Sequence, residues 1–261
     1  MAHLMQRPDI KMTTALVIWS VAQGVGKNLL FECLSAIIGS RHATLIGQVD
    51  LARDFNSWAR NKILVIGDEV IGEDRRQHAD KLKGLITGTT IQINEKHQPV
   101  VELENLVNFV FLSNHPTALF VGDDDRRYFV WEVEAGPMSP QEADAFVKWR
   151  DNGGLAALMH QLQTLNLSTF DPKARAPSTA AKRQMVNASR SDFEVWAEQI
   201  VTSGAGQVLG REVATAMEIA DCYAQSTARP KPAAKTVIQT FRRLRYRCVG
   251  WVAWCVQSMP T

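Results

Sequence analysis

The chain has 261 residues, 46% of them hydrophobic and 21% charged, with a formal net charge of +2, which bounds one α/β core with a smaller appendage. No stretch runs to about 18 apolar residues without polar interruption, and Met1 to Asp9 is too short and polar for a secretory signal, so a soluble cytoplasmic protein is expected, with no membrane partner. Cys33, Cys222, Cys248 and Cys255 lack paired C-x-x-C spacing, which argues against structural zinc and a disulfide framework.

In chain order, Ala15, Leu16, Val17, Ile18 and Trp19 predict a strand, Gln23 to Gly26 a glycine-spaced turn, and Leu29, Leu30, Phe31, Leu34, Ile37 and Ile38 a helix. A phosphate needs backbone N–H groups that no Cβ crowds, a helix N-terminus behind them and a cation on a flexible stem. Gln23, Gly24, Val25, Gly26, Lys27 and Asn28 supply this set. The run departs from G-x-x-x-x-G-K-[ST] at Val21, where the first Gly would stand, and at Asn28, where the hydroxyl would stand. An amide oxygen can ligate Mg2+ or hold one of its waters, so Asn28 is chemically compatible. The alternative for this run taken alone is a Gly-rich turn between strand and helix.

Asp50 to Ala59 predicts a short helix with Phe55 and Trp58 packed on a sheet, and Arg53 or Arg60 are candidates to reach across an interface. Ile63 to Ile66 is apolar without alternation, the pattern of a strand buried on both faces, and Asp68 and Glu69 end it. Ligands gather at that edge of a parallel sheet. Asp68 can hold a Mg2+ water shell and Glu69 can polarise an attacking water, roles that phosphoryl transfer requires. With VAQGVGKN upstream, the pair reads as the second half of an ATP site.

Lys81 and Lys83 begin the next segment; a solvated helix face explains both. Ile91 and Ile93 alternate with Gln92 and Asn94, and Val101 and Leu103 with Glu102 and Glu104, predicting a hairpin with Lys96 and His97 at its tip. A tip Lys contacts a nucleic-acid phosphate in any sequence, and His97 adds a hydrogen bond or stacks on a base; an exposed polar turn is the alternative. Val107 to Leu112 predicts a strand that leaves Asn114 at the same sheet edge as the acids, stopped by Pro116. Its amide would read the terminal phosphate and orient water toward Glu69. Asp123, Asp124 and Asp125 precede Arg126 and Arg127 and then the strand-like Tyr128 to Trp131. An arginine fork can neutralise charge on a neighbouring subunit's phosphate, and a surface ion-pair cluster is the alternative.

From Ala135 the pattern turns helical. Glu142 to Leu165 is broken at Asn152-Gly153-Gly154, Asp171 to Ser178 is a Pro-rich loop expected to wrap back over the core, and Ser191 to Ile200 is a helix anchored by aromatics. After the joint at Gly204 to Gly206, helices over Arg211 to Ala224 and Lys235 to Tyr246 and a strand over Cys248 to Val256 suit a winged helix. From Cys222 to the end there are seven Lys or Arg and no Asp or Glu, whereas residues 1–221 carry 22 basic and 27 acidic residues. Arg242, Arg243, Arg245 and Arg247 would make phosphate contacts from a helix face, and a solvated helix docked on the lid is the alternative. Trp251 and Trp254 would point to opposite faces of a strand.

Over residues 9 to 200 the order and spacing of VAQGVGKN, Asp68-Glu69, the hairpin and Ser113-Asn114 resemble the superfamily 3 helicases, in particular the D5-like helicase domains of viral, phage and plasmid primase-helicases. The resemblance implies an α/β, AAA+-like P-loop NTPase core with a parallel sheet over residues 9–134, a helical lid over 135–203, and a winged-helix-like basic domain over 207–261. It implies Lys27, Asp68, Glu69, Asn114, Arg126 and Arg127 as catalytic, with Asn28 and Asp68 at Mg2+, and places a Lys such as Lys83 near the nucleotide or the next subunit. It further implies a homo-oligomeric ring, commonly a hexamer, that hydrolyses ATP at subunit interfaces and moves 3′ to 5′ on single-stranded DNA. No polymerising primase domain fits before Lys11, so the expectation is a piece of a longer primase-helicase or a short protein that recruits its primase. The absence of the family's helical collar leaves a monomer or open assembly as an alternative to the ring. Two other functions compete: an AAA-like ATPase that loads or remodels replication proteins without unwinding, and a DNA-binding module with a decayed ATP site. Retention of Lys27, Asp68, Glu69 and Asn114 together argues against decay.

Overall fold

The computed structural model describes residues 1–69, 75–117, 119–122, 124–203, 213–248 and 254–257, with side chains omitted for 75–78, 247–248 and 254–257. The chain divides into two units, Met1–Ser189 and Arg190–Thr261.

The first unit runs α1 (Ala2–Gln6), β1 (Ala15–Trp19), α2 (Lys27–Ile38), β2 (Ala43–Ile46), α3 (Gln48–Ala52), a 3-10 turn (Ser57–Ala59), β3 (Leu64–Asp68), α4 (Arg75–Thr87), β4 (Thr90–Ile93), β5 (Val101–Glu104), β6 (Asn108–Ser113), β7 (Tyr128–Glu132), α5 (Pro140–Trp149), α6 (Leu155–Thr164) and α7 (Ala180–Ser189). Its central sheet has the order β2-β3-β6-β1-β7, every pair parallel. The unbroken apolar runs in β1, β3 and β6 follow from burial on both faces. Val17, Trp19, Val65, Phe109, Phe111, Tyr128 and Val130 face a core shared with Leu82 and Ile86 of α4 and Met185 of α7. Ile18, Leu64, Ile66, Val110 and Leu112 face the other way, against Leu4, Phe31, Leu34 and Leu162 from α1, α2 and α6. Each fully buried large side chain contributes about 1.5–3 kcal/mol by leaving water.

The break predicted at Asn152-Gly153-Gly154 is a π turn over Arg150–Gly154 in which Gly153 has φ 86°. A Cβ on Gly154 would lie 2.4 Å from the Trp149 ring, so this approach requires glycine. Ser139 caps α5 by accepting from the Glu142 N–H, with Pro140 in its first turn. The Pro-rich loop does return over the sheet: Pro172 O accepts from Thr13 N–H at 3.0 Å, Ala176 N–H donates to Arg126 O at 2.9 Å, and Thr179 Oγ1 donates to Val130 O at 2.6 Å.

The second unit holds α8 (Asp192–Thr202), β8 (Val213–Thr215), α9 (Ala216–Thr227), α10 (Ala234–Arg243), β9 (Tyr246–Cys248) and β10 (Trp254–Gln257), with an antiparallel sheet in the order β8-β10-β9. Phe193, Ala197, Ile219, Ala220, Tyr223, Val237 and Phe241 form its core. Here the structure differs from the sequence reading. Helix α8, expected within a 135–203 lid, buries Phe193 and Ala197 in the second unit, so the boundary falls after Ser189. The helix expected over Arg211 to Ala224 is a strand followed by a helix, because Thr215 accepts from the Glu218 N–H and fixes the helix start. The helix expected over Lys235 to Tyr246 ends at Arg243, because Arg245 turns left-handed at φ 68° and Tyr246 enters β9. The single strand expected over Cys248 to Val256 is a pair, β9 and β10. The joint at 204–206, Arg211, Asp123, Trp251 and the side chains of Arg247 and Trp254 lie outside the described residues.

Candidate active site

Three neighbouring parallel strands, β3, β6 and β1, end at one edge, where Lys27, Asp68, Glu69 and Asn114 meet. After β1 the chain enters a loop in which left-handed backbone falls on Gly24 (φ 73°) and Gly26 (φ 84°), while Val21 adopts none. Val21 can therefore stand where a glycine is usual, and its side chain is 77% exposed. Gly26 caps α2, which opens with Lys27 and Asn28. The loop is braced from outside, where Met138 N–H donates to Gly24 O at 3.0 Å and the Met138 Cε lies 3.1 Å from where a Gly26 Cβ would be.

Lys27 Nζ donates to Asn114 Oδ1 at 2.9 Å and to Ser20 Oγ. Asn114 Nδ2 donates to Glu69 Oε1 at 2.6 Å. The amide orientation is forced, since an ammonium only donates and a carboxylate only accepts. Asn28 Nδ2 donates to Asp68 Oδ2 at 2.9 Å, joining the start of α2 to the end of β3. Glu69 leaves the strand with φ 46°, a conformation that costs a non-glycine residue about 1 kcal/mol or more, held by its N–H to Leu112 O at 3.0 Å. Desolvation lowers the Lys27 pKa, opposed by the fields of Asp68 and Glu69. Gly24, Gly26, Lys27, Asn28, Asp68, Glu69 and Asn114, with Gln23, Val25, Leu29 and Ser113, line a cleft of about 350 Å³. The cleft offers N–H groups from a helix start, one cation and two carboxylates. The donor set is hard oxygen from Asn28, Asp68 and Glu69, which fits Mg2+, an ion that takes one or two carboxylates and keeps waters and phosphate oxygens as its other ligands.

Other expected site residues lie elsewhere. Arg127 and Arg126 precede Tyr128, which pairs with Ala15 at the start of β1, whereas the loop follows Trp19 at its end. The length of β1, about 16 Å, therefore separates the edge where they emerge from the edge that carries the glycine loop. Arg127 Nη1 is ion-paired to Asp125 Oδ2 at 3.1 Å, and Arg126 is exposed. Lys83 is paired with Asp80 at 2.9 Å, Lys81 donates to Leu51 O and Arg53 O, and neither lines the cleft. The expected hairpin is present, with Thr90 opposite Glu104 and Ile93 opposite Val101. Asn56 locks its first strand, donating to Gln92 O at 2.8 Å and accepting from Asn94 N–H at 2.7 Å, and Arg60 pairs with Glu95 at 3.1 Å. Phe55 is exposed, while Trp58 packs edge-on against Phe109. Lys96 and His97 project at the tip, His97 with φ 64°. In the second unit Arg243 is paired with Glu194 at 3.2 Å, Arg229 with Asp192 and Lys231 with Asp221, so part of the basic tail is neutralised internally. Arg242 and Arg245 are exposed at the end of α10 and just past it.

A protein-family profile described as a family of unknown function (DUF5906) matches residues 18–127, the stretch from the glycine loop through Asn114 to the arginines. The DNA primase-polymerase of Nitratiruptor phage NrS-1 is 34% identical over 113 residues, 42% of this chain; the match spans 16% of the phage protein's length. Two apo structures of the NrS-1 C-terminal region superpose on 99% of this chain with TM-scores of 0.68 and 0.67 at 18% identity, covering 70% and 69% of those chains. The similarity establishes a shared α/β fold with a mostly parallel sheet. Among the described residues, no helix is long and apolar enough to cross a membrane.

Sequence reasoning missed Ser20, fully buried beneath Lys27, and the Met138 brace. Ser20 is the first polar residue after the apolar run of β1, as Ser113 is after the apolar run Phe109 to Leu112 of β6, which is the only trace it leaves in the sequence.

Proposed function

We propose that the chain is an ATP-hydrolysing P-loop motor subunit that acts on single-stranded DNA in phage or plasmid replication. The observation that carries this is the continuous contact chain Lys27, Asn114, Glu69, with Asn28 and Asp68 alongside, at the joined ends of three parallel strands. Backbone N–H groups of Gly24 to Lys27 would receive the β-phosphate, and the remaining N–H of the Lys27 ammonium would reach an oxygen of the γ-phosphate. Mg2+, when bound at Asn28 and Asp68, would neutralise charge on the phosphate oxygens. Asn114 would hold the water beside Glu69, whose carboxylate takes its proton as the oxygen attacks the γ-phosphorus and the bond from that phosphorus to the β–γ bridging oxygen breaks, releasing ADP and phosphate.

Arg126 lies too far away to serve its own cleft, which supports a role toward a neighbouring copy's phosphate, with Arg127 holding the loop in shape through Asp125. The rigid hairpin, immobilised by Asn56 and Arg60, presents Lys96 and His97 for backbone contacts to DNA. This feature favours a translocating motor over a loader. A ring of such copies, commonly six in the helicases the sequence resembles, would line a pore with these tips. The second unit we read as a winged-helix-like accessory in which the exposed Arg242 is better placed for DNA than the ion-paired Arg243, with the exposed Arg245 beside it. The similarity to a DNA primase-polymerase supports a primase as partner.

Glu69→Gln tests the reading. It should bind MgATP with wild-type affinity and lose at least a hundredfold in phosphate release; turnover above a few per cent of wild type removes Glu69 from this role.

A further inference from the structure

We propose that Ser20, outside every recognisable motif, is a positioning residue that sets the phosphate-binding ammonium of Lys27 before nucleotide arrives. The inference rests on the ATP-site reading above. Ser20 is 0% exposed at the end of β1, and its backbone N–H donates to Ser113 O at 3.2 Å, so its place is fixed by the pairing of β1 with β6. Its hydroxyl has one proton, given to Ala22 O at 2.6 Å. The oxygen is thereby left only as an acceptor, and Lys27 Nζ fills it.

An ammonium has three N–H donors. One goes to Ser20 Oγ and one to Asn114 Oδ1, so a single donor remains for an incoming oxygen. Neither anchor is charged, so neither neutralises the ammonium. A free lysine would have to be ordered on binding, which subtracts from affinity; a lysine mounted at two points has already been ordered by the fold. Ala22, the acceptor that orients Ser20, lies inside the glycine loop, so the hydroxyl also ties the loop's entry to its lysine.

The prediction concerns binding rather than the chemical step. Ser20→Ala should weaken MgATP binding and raise KM about tenfold, the factor equivalent to ~1.4 kcal/mol, while kcat stays within about threefold. Ser20→Thr, which retains the hydroxyl, should recover most of the affinity. A double-mutant cycle with Lys27→Ala, read by equilibrium binding of MgATP and paired with melting temperatures, separates positioning from folding. If Ser20 acts through Lys27, its substitution costs little further affinity once Lys27 is gone. An unchanged KM in Ser20→Ala, or a penalty that adds in full on Lys27→Ala, overturns the proposal. A wild-type chain that neither binds nor hydrolyses MgATP would instead remove the underlying ATP-site reading.

Discussion

Asn114→Asp isolates the electrostatics of the cleft with minimal change in shape. The substitution keeps an oxygen facing Lys27, now 2.9 Å from Asn114 Oδ1, but replaces the donor that lies 2.6 Å from Glu69 Oε1 with a second acceptor. Two carboxylates cannot remain at that separation. Held about 4 Å apart, unit charges repel by ~1 kcal/mol in water and ~4 kcal/mol at an effective dielectric constant of about 20. Glu69 is exposed, which favours the lower half of that range, ~1–2 kcal/mol. Loss of the hydrogen bond to a charged group adds ~1.5–3 kcal/mol, and a new ion pair with Lys27 returns at most ~1 kcal/mol. The net displacement of Glu69 from its working position is ~2–4 kcal/mol, a fall of about 30- to 1000-fold in kcat. Asn114→Ala loses the hydrogen bonds without the repulsion and should be impaired less. Phosphate release at saturating MgATP, with binding measured in parallel, decides the order. An Asp variant within threefold of wild type, or faster than the Ala variant, would refute the assignment of Asn114 as the link between Lys27 and Glu69.

The two arginines should behave differently. Arg126→Ala mixed with wild type should depress ATPase activity below simple dilution if it serves a neighbour, whereas Arg127→Ala should destabilise the fold by ~1–3 kcal/mol in denaturant titrations, because it takes the guanidinium from Oδ2 of the 4%-exposed Asp125 side chain and leaves only the backbone N–H of residue 127 on Oδ1. Joint replacement of Lys96 and His97 by Ala should weaken single-stranded DNA binding regardless of sequence, and reduce the salt slope of log K by about 0.7 for the lost lysine contact; an unchanged slope sends the hairpin elsewhere. Lys11, bonded to Asn105 Oδ1 and Val107 O, is pushed by burial from 10.5 down to about 7. Between those values the unfolded chain holds more protons than the folded one, so this group makes stability rise as pH increases from about 7 toward 10.5 and adds no slope below or above. Urea titrations across that range should show the rise in wild type and lose it in Lys11→Met.

The residues that meet in the cleft were legible because each sits next to a strong local signal. Lys27 follows a glycine turn, Asp68 and Glu69 end an uninterrupted apolar run, and Asn114 precedes a proline stop. Local patterns failed where a residue's state depends on a distant partner. Arg243 reads as a phosphate contact or part of a solvated helix, but Glu194, 49 residues away in sequence, pairs with it. Helix α8 read as lid, but its aromatic Phe193 stacks on Tyr223 edge-to-face at 5.2 Å in the second unit. The start of α9 was misplaced because Val213 and Ala214 pair with residues about forty positions further on, a contact that helical periodicity cannot report.

By itself the amino-acid order determined that buried strands alternate with helices, and that phosphate-compatible glycines, a lysine, two acids and an amide each follow such a strand. Periodicity and turn chemistry are short-range, so that much is written locally. Only the tertiary structure decided that β6 lies between β3 and β1, which is what joins Asn114 to both Lys27 and Glu69, and that the arginines before β7 emerge at the opposite edge. Strand order arises from packing two apolar faces at once, and no window of neighbouring residues contains it.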